Sequence, residues 1–196
     1  IYFMTYVLGD ASYFSTFAWA INVPLILGLV VTPFIVKRVG MIYPVNFVGY
    51  VIAFVGRALV IVAAGMGNIP LMLVFSALAS FGMSPLQGTL NALIAEASQN
   101  TYLTHNKRID GMMFSATSLG VKIGGGGGVA LSGWLLAAGG YVGGAAVQPA
   151  TAINMLNFMY LWLPVIIAAL IAFLLWRLRV EQANNKLRQQ LAENEK

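Results

Sequence analysis

The stretch Gly111–Ala138 reads GMMFSATSLGVKIGGGGGVALSGWLLAA and carries a single charged side chain, Lys122, near its middle. A helix crosses the hydrocarbon core of a bilayer with about 20 apolar residues, so this stretch is long enough to do so. A lysine at the centre of such a span costs roughly 2.5–3.5 kcal/mol on insertion scales. We therefore expect a membrane helix whose lysine faces a water-filled cavity or a polar partner, because its stem cannot reach either end of the span.

The composition of the whole chain is that of a membrane protein. Among its 196 residues, 59% are hydrophobic and 9% are charged. Soluble domains carry about 25% charged residues. The chain contains no cysteine, which excludes a disulfide framework and a thiolate metal site. The net charge of +5 does not indicate nucleic-acid binding, because the basic residues lie at the ends of apolar segments and in the tail.

Five segments have the length and composition of membrane-spanning helices, namely residues 11–32, 43–64, 69–94, 111–138 and 153–176. The chain begins Ile-Tyr-Phe-Met without a signal peptide, and the apolar Ile1–Leu8 is too short to cross a bilayer. We interpret it as the outer end of a further span. The sequence therefore predicts an all-α integral membrane bundle over residues 1–176, with five complete spans plus the end of a sixth, followed by a tail over residues 177–196.

The basic residues indicate how the spans cross the membrane. Of the eleven Lys and Arg residues, only Arg57 and Lys122 lie inside predicted spans. The others all fall on one side of the membrane: Lys37, Arg38, Lys107, Arg108, Arg177, Arg179, Lys186, Arg188 and Lys196. Because Lys and Arg concentrate in cytoplasmic loops, the pattern predicts a multi-pass protein of the cell membrane that begins outside and ends in the cytoplasm. For Arg57 we expect snorkelling or an ion pair with Asp10, with substrate contact as the alternative.

Two rows of residues give the fourth span its character. Ser115, Ser118 and Lys122 recur at helical spacing and form a polar stripe that offers the lysine to a cavity. A second row repeats a small residue at every fourth position: Ala116, Gly120, Gly124, Gly128 and Ser132. Such rows let another helix approach closely, so we expect tight packing along this one. The run Gly124–Gly128 is not a phosphate loop, because no strand precedes it and no Lys-Ser/Thr pair ends it.

Polar side chains also lie along one side of the third span, at Ser80, Ser84, Gln87 and Asn91. Their hydroxyls and amides suit a polyhydroxylated ligand, and they equally suit hydrogen bonds between helices. The pair Ser84-Pro85 predicts a kink, and Asn22 with Pro24 marks the first span in the same way.

The sequence offers little for catalysis. Hydrolysis within a membrane needs a clustered nucleophile and base, or metal ligands on facing helices. No Asp, Glu or His lies deep in a complete span, and His105 falls in a predicted cytoplasmic loop. We therefore expect no enzymatic activity, no catalytic residue, no metal site and no cofactor.

The tail carries apolar residues at helical spacing, Val180, Ala183, Leu187 and Leu191. This spacing predicts an amphipathic cytoplasmic helix, lying on the membrane surface or against a loop. A solvated tail is the alternative.

Several motifs resemble a known family. They are KRIDG at Lys107–Gly111, the pair Phe114-Ser115, Lys122 followed by glycines, and GWLL at Gly133–Leu136. Further matches are Lys37-Arg38-Val39-Gly40, Gly140-Tyr141 and Gln148-Pro149. These stretches resemble the glycoside–pentoside–hexuronide cation symporters, which are relatives of melibiose permease in the major facilitator superfamily. The resemblance covers essentially the whole chain and is most specific around Lys122.

By this resemblance, the chain is the C-terminal six-helix half of a twelve-helix major facilitator fold, from the end of the seventh helix onward. It implies symport of a sugar or glycoside with a monovalent cation by alternating access, and a fragment that is inactive alone. The family's membrane lysine falls on Lys122, which implies a place at the central cavity. The ligands of the coupling Na⁺ or H⁺ would lie mainly in the N-terminal half, which joins the bilayer, the sugar and the cation as an implied partner.

The candidate residues for substrate binding and coupling are therefore Lys122, Ser118, Ser115, Gln87 and Asn91. Gln87 stands where some members of the family carry a sugar-contacting tryptophan. The sequence identifies neither the sugar nor the cation. A non-transporting membrane sensor or assembly subunit, or a passive channel, is the alternative to a symporter.

Overall fold

The computed structural model describes residues 1–178 and 180–194, and within them it contains helices and turns but no strands. In chain order the helices are α1 (Tyr2–Tyr6), α2 (Tyr13–Val39), α3 (Ile42–Gly65), α4 (Ile69–His105), α5 (Asp110–Ala138), α6 (Ala150–Asn157), α7 (Leu163–Arg177) and α8 (Val180–Asn194). A π-helical turn, Phe158–Trp162, joins α6 to α7. The predicted all-α class is confirmed.

Within the part of the chain that the structure describes, five helical stretches are long and apolar enough to span a membrane, which is the predicted number. They are α2, α3, α4, α5 and the stretch that begins at Ala150. Two of them continue well past their predicted ends, since α2 runs to Val39 and α4 to His105. Each stops at a residue in the left-handed conformation, Gly40 with a φ of 77° and Asn106 with a φ of 52°. Glycine and asparagine adopt this conformation at little cost and commonly end helices, so the links predicted as loops are largely helical.

The prolines do not interrupt these helices. Helix α2 is continuous through Pro24, and α4 is continuous through Pro85. Proline lacks an N–H, so Pro85 leaves the carbonyl of Phe81 without its usual helical donor. The Ser84 hydroxyl donates to that carbonyl over 2.7 Å. Ser84 therefore supplies the hydrogen bond that the helix lacks at its proline, and its side chain is fully buried.

Helices α3 and α4 approach each other backbone to backbone. A Cβ atom at Gly49 would lie 2.6 Å from the carbonyl oxygen of Gly82, and a Cβ atom at Gly82 would lie 2.5 Å from the oxygen of Gly49. About two turns along α3, a Cβ atom at Gly56 would lie 2.8 Å from the backbone nitrogen of Ala79. Real side chains do not tolerate such distances, so these glycines are what allows the two helices to touch.

Helix α2 and a buried polar pair extend this contact into a three-helix core. A Cβ atom at Gly28 of α2 would collide with the side chain of Ser84. Asn46 of α3 is fully buried, and its amide donates to the Thr89 hydroxyl of α4 over 2.8 Å. That hydroxyl donates in turn to the carbonyl of Pro85 over 2.8 Å. Hydrogen bonds of this kind satisfy polar groups that would otherwise be stranded in the interior.

Helix α5 packs in a different way. None of its residues is buried, and it has few contacts with the rest of the described chain, mainly with α4 and α6. A Cβ atom at Gly120, Gly124 or Gly128 would meet nothing within 4 Å. No helix of the described chain packs against the small-residue row, so tight packing along it stays a prediction, and the close helix packing that the structure shows lies between α3 and α4.

Helix α8 caps the first turn of α3. The carboxylate of Glu181 accepts hydrogen bonds from the backbone N–H of Ile42 over 2.9 Å and of Tyr43 over 2.8 Å. The first N–H groups of a helix have no partner inside it, and they attract a negative charge. Glu181 supplies both the acceptor and the charge from a distant part of the chain.

A second polar contact joins α8 to α4. Asn184 is fully buried and donates to the backbone carbonyl of Glu96 over 2.8 Å and to its carboxylate over 2.7 Å. Arg188 forms an ion pair with the same carboxylate at 3.6 Å. Ala183, which belongs to the predicted apolar row, is exposed. Helix α8 therefore packs through polar side chains, which the apolar spacing of the tail does not predict. The side chain of Leu191 lies outside the described residues.

The close approach of α3 and α4 predicts that Gly82→Ala destabilises the protein. The added methyl group must displace backbone, and overpacking of this kind costs about 1–3 kcal/mol. We expect the melting temperature of the detergent-solubilised protein to fall by several degrees. Gly65→Ala is the matched control, since a Cβ atom at Gly65 in α3 would meet nothing within 4 Å. Equal melting temperatures for the two variants would contradict the packing described above.

Candidate functional site

An open cavity of about 300 Å³ lies between α4 and α5. Leu90 and Asn91 line it from α4, and the remaining lining residues belong to α5: Phe114, Thr117, Ser118, Val121 and Lys122. Three of the five candidate residues, Asn91, Ser118 and Lys122, therefore border one space. The α5 residues follow the spacing i, i+3, i+4, i+7 and i+8, which puts them on one helix face.

The polar groups of this cavity have spare hydrogen-bonding capacity. Within the described residues, the side chains of Asn91, Ser118 and Lys122 make no hydrogen bond or ion pair with the protein. Thr117 differs, because its hydroxyl donates to the carbonyl of Met113 over 2.9 Å. An ammonium group donates only, whereas an amide and a hydroxyl both donate and accept. The three free side chains can therefore bind a ligand that carries several hydroxyl groups.

The other two candidates do not border the cavity. Gln87 lies one helical turn before Asn91 on α4, and its side chain is exposed. Ser115 lies one turn before Ser118 on α5, where Phe114 lines the cavity instead. Phe114 and Thr117 belong to the site without having been predicted as members. Their spacing on the same face as Ser118 and Lys122 is the signal that identifies them.

Arg57, the second charge within a predicted span, does not pair with Asp10. The carboxylate of Asp10 instead accepts a hydrogen bond from the backbone N–H of Ser12 over 2.7 Å, and this bond lowers the pKa of Asp10. Arg57 is half-buried in α3 and borders a separate cavity with Leu163 and Pro164 of α7. It does not line the cavity that Lys122 borders.

Glu96 and Arg108, near the C-terminal end of α4, contact other side chains of this chain. Glu96 is held by Asn184 and Arg188 of α8. The Arg108 guanidinium lies over the ring of Tyr102, 5.0 Å from its centroid, which is a favourable cation–π distance. His105 is exposed at the last turn of α4. No group of three or more acidic, histidine or cysteine side chains that could hold a metal occurs among the described residues.

Comparisons with known proteins show which family this chain matches. Residues 1–182 match the family described as MFS/sugar transport protein. An isoprimeverose transporter from Lactiplantibacillus pentosus is 28% identical over 187 residues, which are 95% of this chain and 38% of that protein. The chain thus spans about two fifths of the length of this curated relative. No solved structure gives a significant match.

The exposure of the cavity predicts how an introduced cysteine reacts. The chain has no cysteine of its own, so Ser118→Cys can be labelled selectively in an otherwise cysteine-free background. We expect a membrane-impermeant thiol reagent to modify it readily, because the side chain borders an open polar cavity. Ser98→Cys in α4 is the control, since Ser98 is 1% exposed. Labelling of position 98 as fast as position 118 would contradict an open cavity at α5.

Proposed function

The chain belongs to the MFS/sugar transport protein family, and we propose that the protein containing it is a secondary active transporter that moves a sugar or glycoside together with a cation. The family and the curated relative are transporters, so the proposed activity is transport without a catalytic step. The five membrane-capable helices support a multi-pass membrane location. The positive-inside pattern supports a cell-membrane protein whose C-terminus is cytoplasmic.

The observation that carries this proposal is the cavity between α4 and α5. Its three polar side chains, Asn91, Ser118 and Lys122, have no hydrogen-bond partner among the described residues. A sugar presents hydroxyl groups that both donate and accept, and it pairs with amide, hydroxyl and ammonium groups. Phe114 and Leu90 supply the apolar surface on which the faces of a sugar ring rest.

We assign Lys122 the central role in coupling. Its ammonium group donates a hydrogen bond either to the sugar or to a carboxylate of the N-terminal half of the same transporter. A lysine charge deep in a bilayer is costly without a partner. Binding of the sugar or of the cation changes which partner the ammonium group has, and this changes the free energy of the charged side chain. Lys122 thereby links the two occupancies, and the acidic ligands of Na⁺ or H⁺ lie mainly in the N-terminal half.

The mechanism we propose is alternating access around a site near the bilayer midplane, with two six-helix halves rocking against each other. The uncovered α5 fits this mechanism, since none of its residues is buried by the described part of the chain. Its faces remain available to the other half and to the cavity between the halves. The chain alone is not expected to transport.

Lys122→Ala in the full-length protein tests the proposal. We expect uphill sugar accumulation in vesicles with an imposed Na⁺ or H⁺ gradient to fall by about tenfold or more, since a hydrogen bond to a charged group contributes roughly 1.5–3 kcal/mol. Lys37→Ala is the control, because Lys37 lies in the last turn of α2, away from the cavity. Both variants are quantified in the membrane before uptake is compared.

Unchanged accumulation by Lys122→Ala would overturn the role of this lysine. Sugar uptake by the unaltered protein that only equilibrates across the membrane, whatever gradient is imposed, would indicate a passive channel. Absence of any sugar uptake under all gradients would favour a non-transporting sensor or assembly subunit.

A further inference from the structure

A groove of about 530 Å³ runs between α4, α7 and the start of α5, and its walls are almost wholly apolar. Aliphatic side chains of α4 line it from Leu86 to Ala97, and residues from Ile171 to Leu178 line it at the end of α7. Met113 borders it from α5. Its volume lies within the range of roughly 300–1,000 Å³ that is typical of ligand sites. The groove is therefore large enough to hold a ligand.

Among the described residues that line this groove, Arg177 alone carries a charge. Its side chain is exposed and makes no ion pair within the described residues. The carboxylate of Glu96, next to Ala97 on α4, is instead bound by Asn184 and Arg188. A guanidinium presents its donors in a planar fork that suits the oxygens of a phosphate. The groove thus combines apolar walls with a group that binds phosphate.

The charge lies at one end of the groove. Helices α4 and α7 both run toward the side that the charge pattern assigns to the cytoplasm. Ala97 and Arg177 therefore lie at the cytoplasmic end of the groove, whereas Leu86 and Ile171 lie deeper in the membrane. Helix α5 starts on the same side, and Met113 lies one turn into it. The groove therefore has a cation near the membrane surface and apolar walls below it.

The length of the groove matches one leaflet of a bilayer. Leu86 and Ala97 are 11 positions apart on α4. At a rise of 1.5 Å per residue, this is about 16 Å along the helix axis. The hydrocarbon core of a bilayer is about 30 Å thick, so one leaflet is about 15 Å deep. An acyl chain whose headgroup lies at the surface can therefore extend along the whole groove.

These features fit a phospholipid better than a sugar or a free anion. A sugar needs several polar partners, and the walls of the groove offer one charged side chain. A free anion would contact Arg177 without using the apolar walls. An anionic phospholipid uses both, because its phosphate binds the guanidinium and its acyl chain covers the leucines. A phosphatidylcholine headgroup carries its own cation, so it has no net charge to balance that of Arg177.

We propose that this groove binds one anionic phospholipid of the cytoplasmic leaflet, with its phosphate on Arg177 and an acyl chain along α4. The lipid lies between α5, which has few contacts with the rest of the described chain, and the helices α4 and α7. Leu90 lines both the groove and the α4–α5 cavity, so the acyl chain borders a wall of the candidate sugar site. The lipid site rests on the membrane orientation proposed above and does not depend on sugar transport.

Native mass spectrometry of the purified full-length protein in a neutral detergent tests this proposal. The protein is titrated without sugar, either with palmitoyl-oleoyl-phosphatidylglycerol or with the phosphatidylcholine that carries the same chains. We expect the first phosphatidylglycerol to bind with a Kd about tenfold lower than that of phosphatidylcholine, because it balances the charge of Arg177. Equal Kd values, as expected if the N-terminal half covers the groove, would overturn the proposal.

Matched variants locate the phosphate. Arg177→Gln removes the charge and should raise the Kd for phosphatidylglycerol about tenfold, whereas Arg177→Lys should retain most of the affinity. Arg38→Gln is the control, since Arg38 is also exposed near the cytoplasmic end of its helix but does not line the groove. An equal loss of affinity in Arg177→Gln and Arg38→Gln would indicate a diffuse attraction to the basic surface and would overturn the site.

A second pair of variants locates the acyl chain. Leu174 and Leu170 of α7 are each 55% exposed, but only Leu174 lines the groove. Leu174→Trp fills part of the groove and should raise the Kd for phosphatidylglycerol about tenfold, whereas Leu170→Trp should leave it unchanged. Equal Kd values for the two tryptophan variants would contradict an acyl chain in the groove.

Discussion

The backbone contact between α3 and α4 is the interaction on which the rest of the structure depends. Gly49 and Gly82 bring the two helices so close that each would clash with a side chain on the other. Helix–helix association in a bilayer has no hydrophobic driving force, so close van der Waals packing and hydrogen bonds supply it. The Asn46–Thr89 hydrogen bond also joins α3 to α4. The Ser84 hydroxyl bonds the carbonyl that Pro85 leaves without a donor.

Helix α5 lies outside that core. It touches the edge of α4 at the level of Asn91, and its polar face remains open to solvent or to another part of the protein. Helix α4 thus contributes one wall of the cavity, and α5, which has few contacts with the rest of the described chain, contributes Lys122 and Ser118.

The sequence predicts most of the fold, because bilayer crossing imposes a strong constraint on length and composition. It also predicts the cavity lysine, since a charge at depth needs a partner. It does not predict which glycines pack. The small-residue row on α5 is conspicuous but faces open space in the described chain, whereas Gly49 and Gly56, two turns apart on α3, make the contact. The spacing shows that small residues lie along one face of a helix. It does not show which helix packs there, because the arrangement of the whole bundle decides that.

The polar contacts of α8 cannot be predicted from the sequence for a related reason. Glu181 caps α3 from more than a hundred residues away, and no local pattern predicts such a contact. In the same way, the polar residues of the third span differ in their surroundings. The Ser84 hydroxyl bonds the carbonyl left free by Pro85, Ser80 is buried in the core, and Asn91 borders the cavity.

We propose that the α4–α5 cavity is the sugar site of a transporter and that Lys122 acts within it. An experimental structure of the full-length protein with bound sugar tests this directly. We expect the sugar between α4 and α5, with the Lys122 ammonium within about 3.2 Å of a sugar oxygen or of a carboxylate that borders the sugar. A sugar bound away from α4 and α5, or a Lys122 side chain that faces lipid, would contradict it.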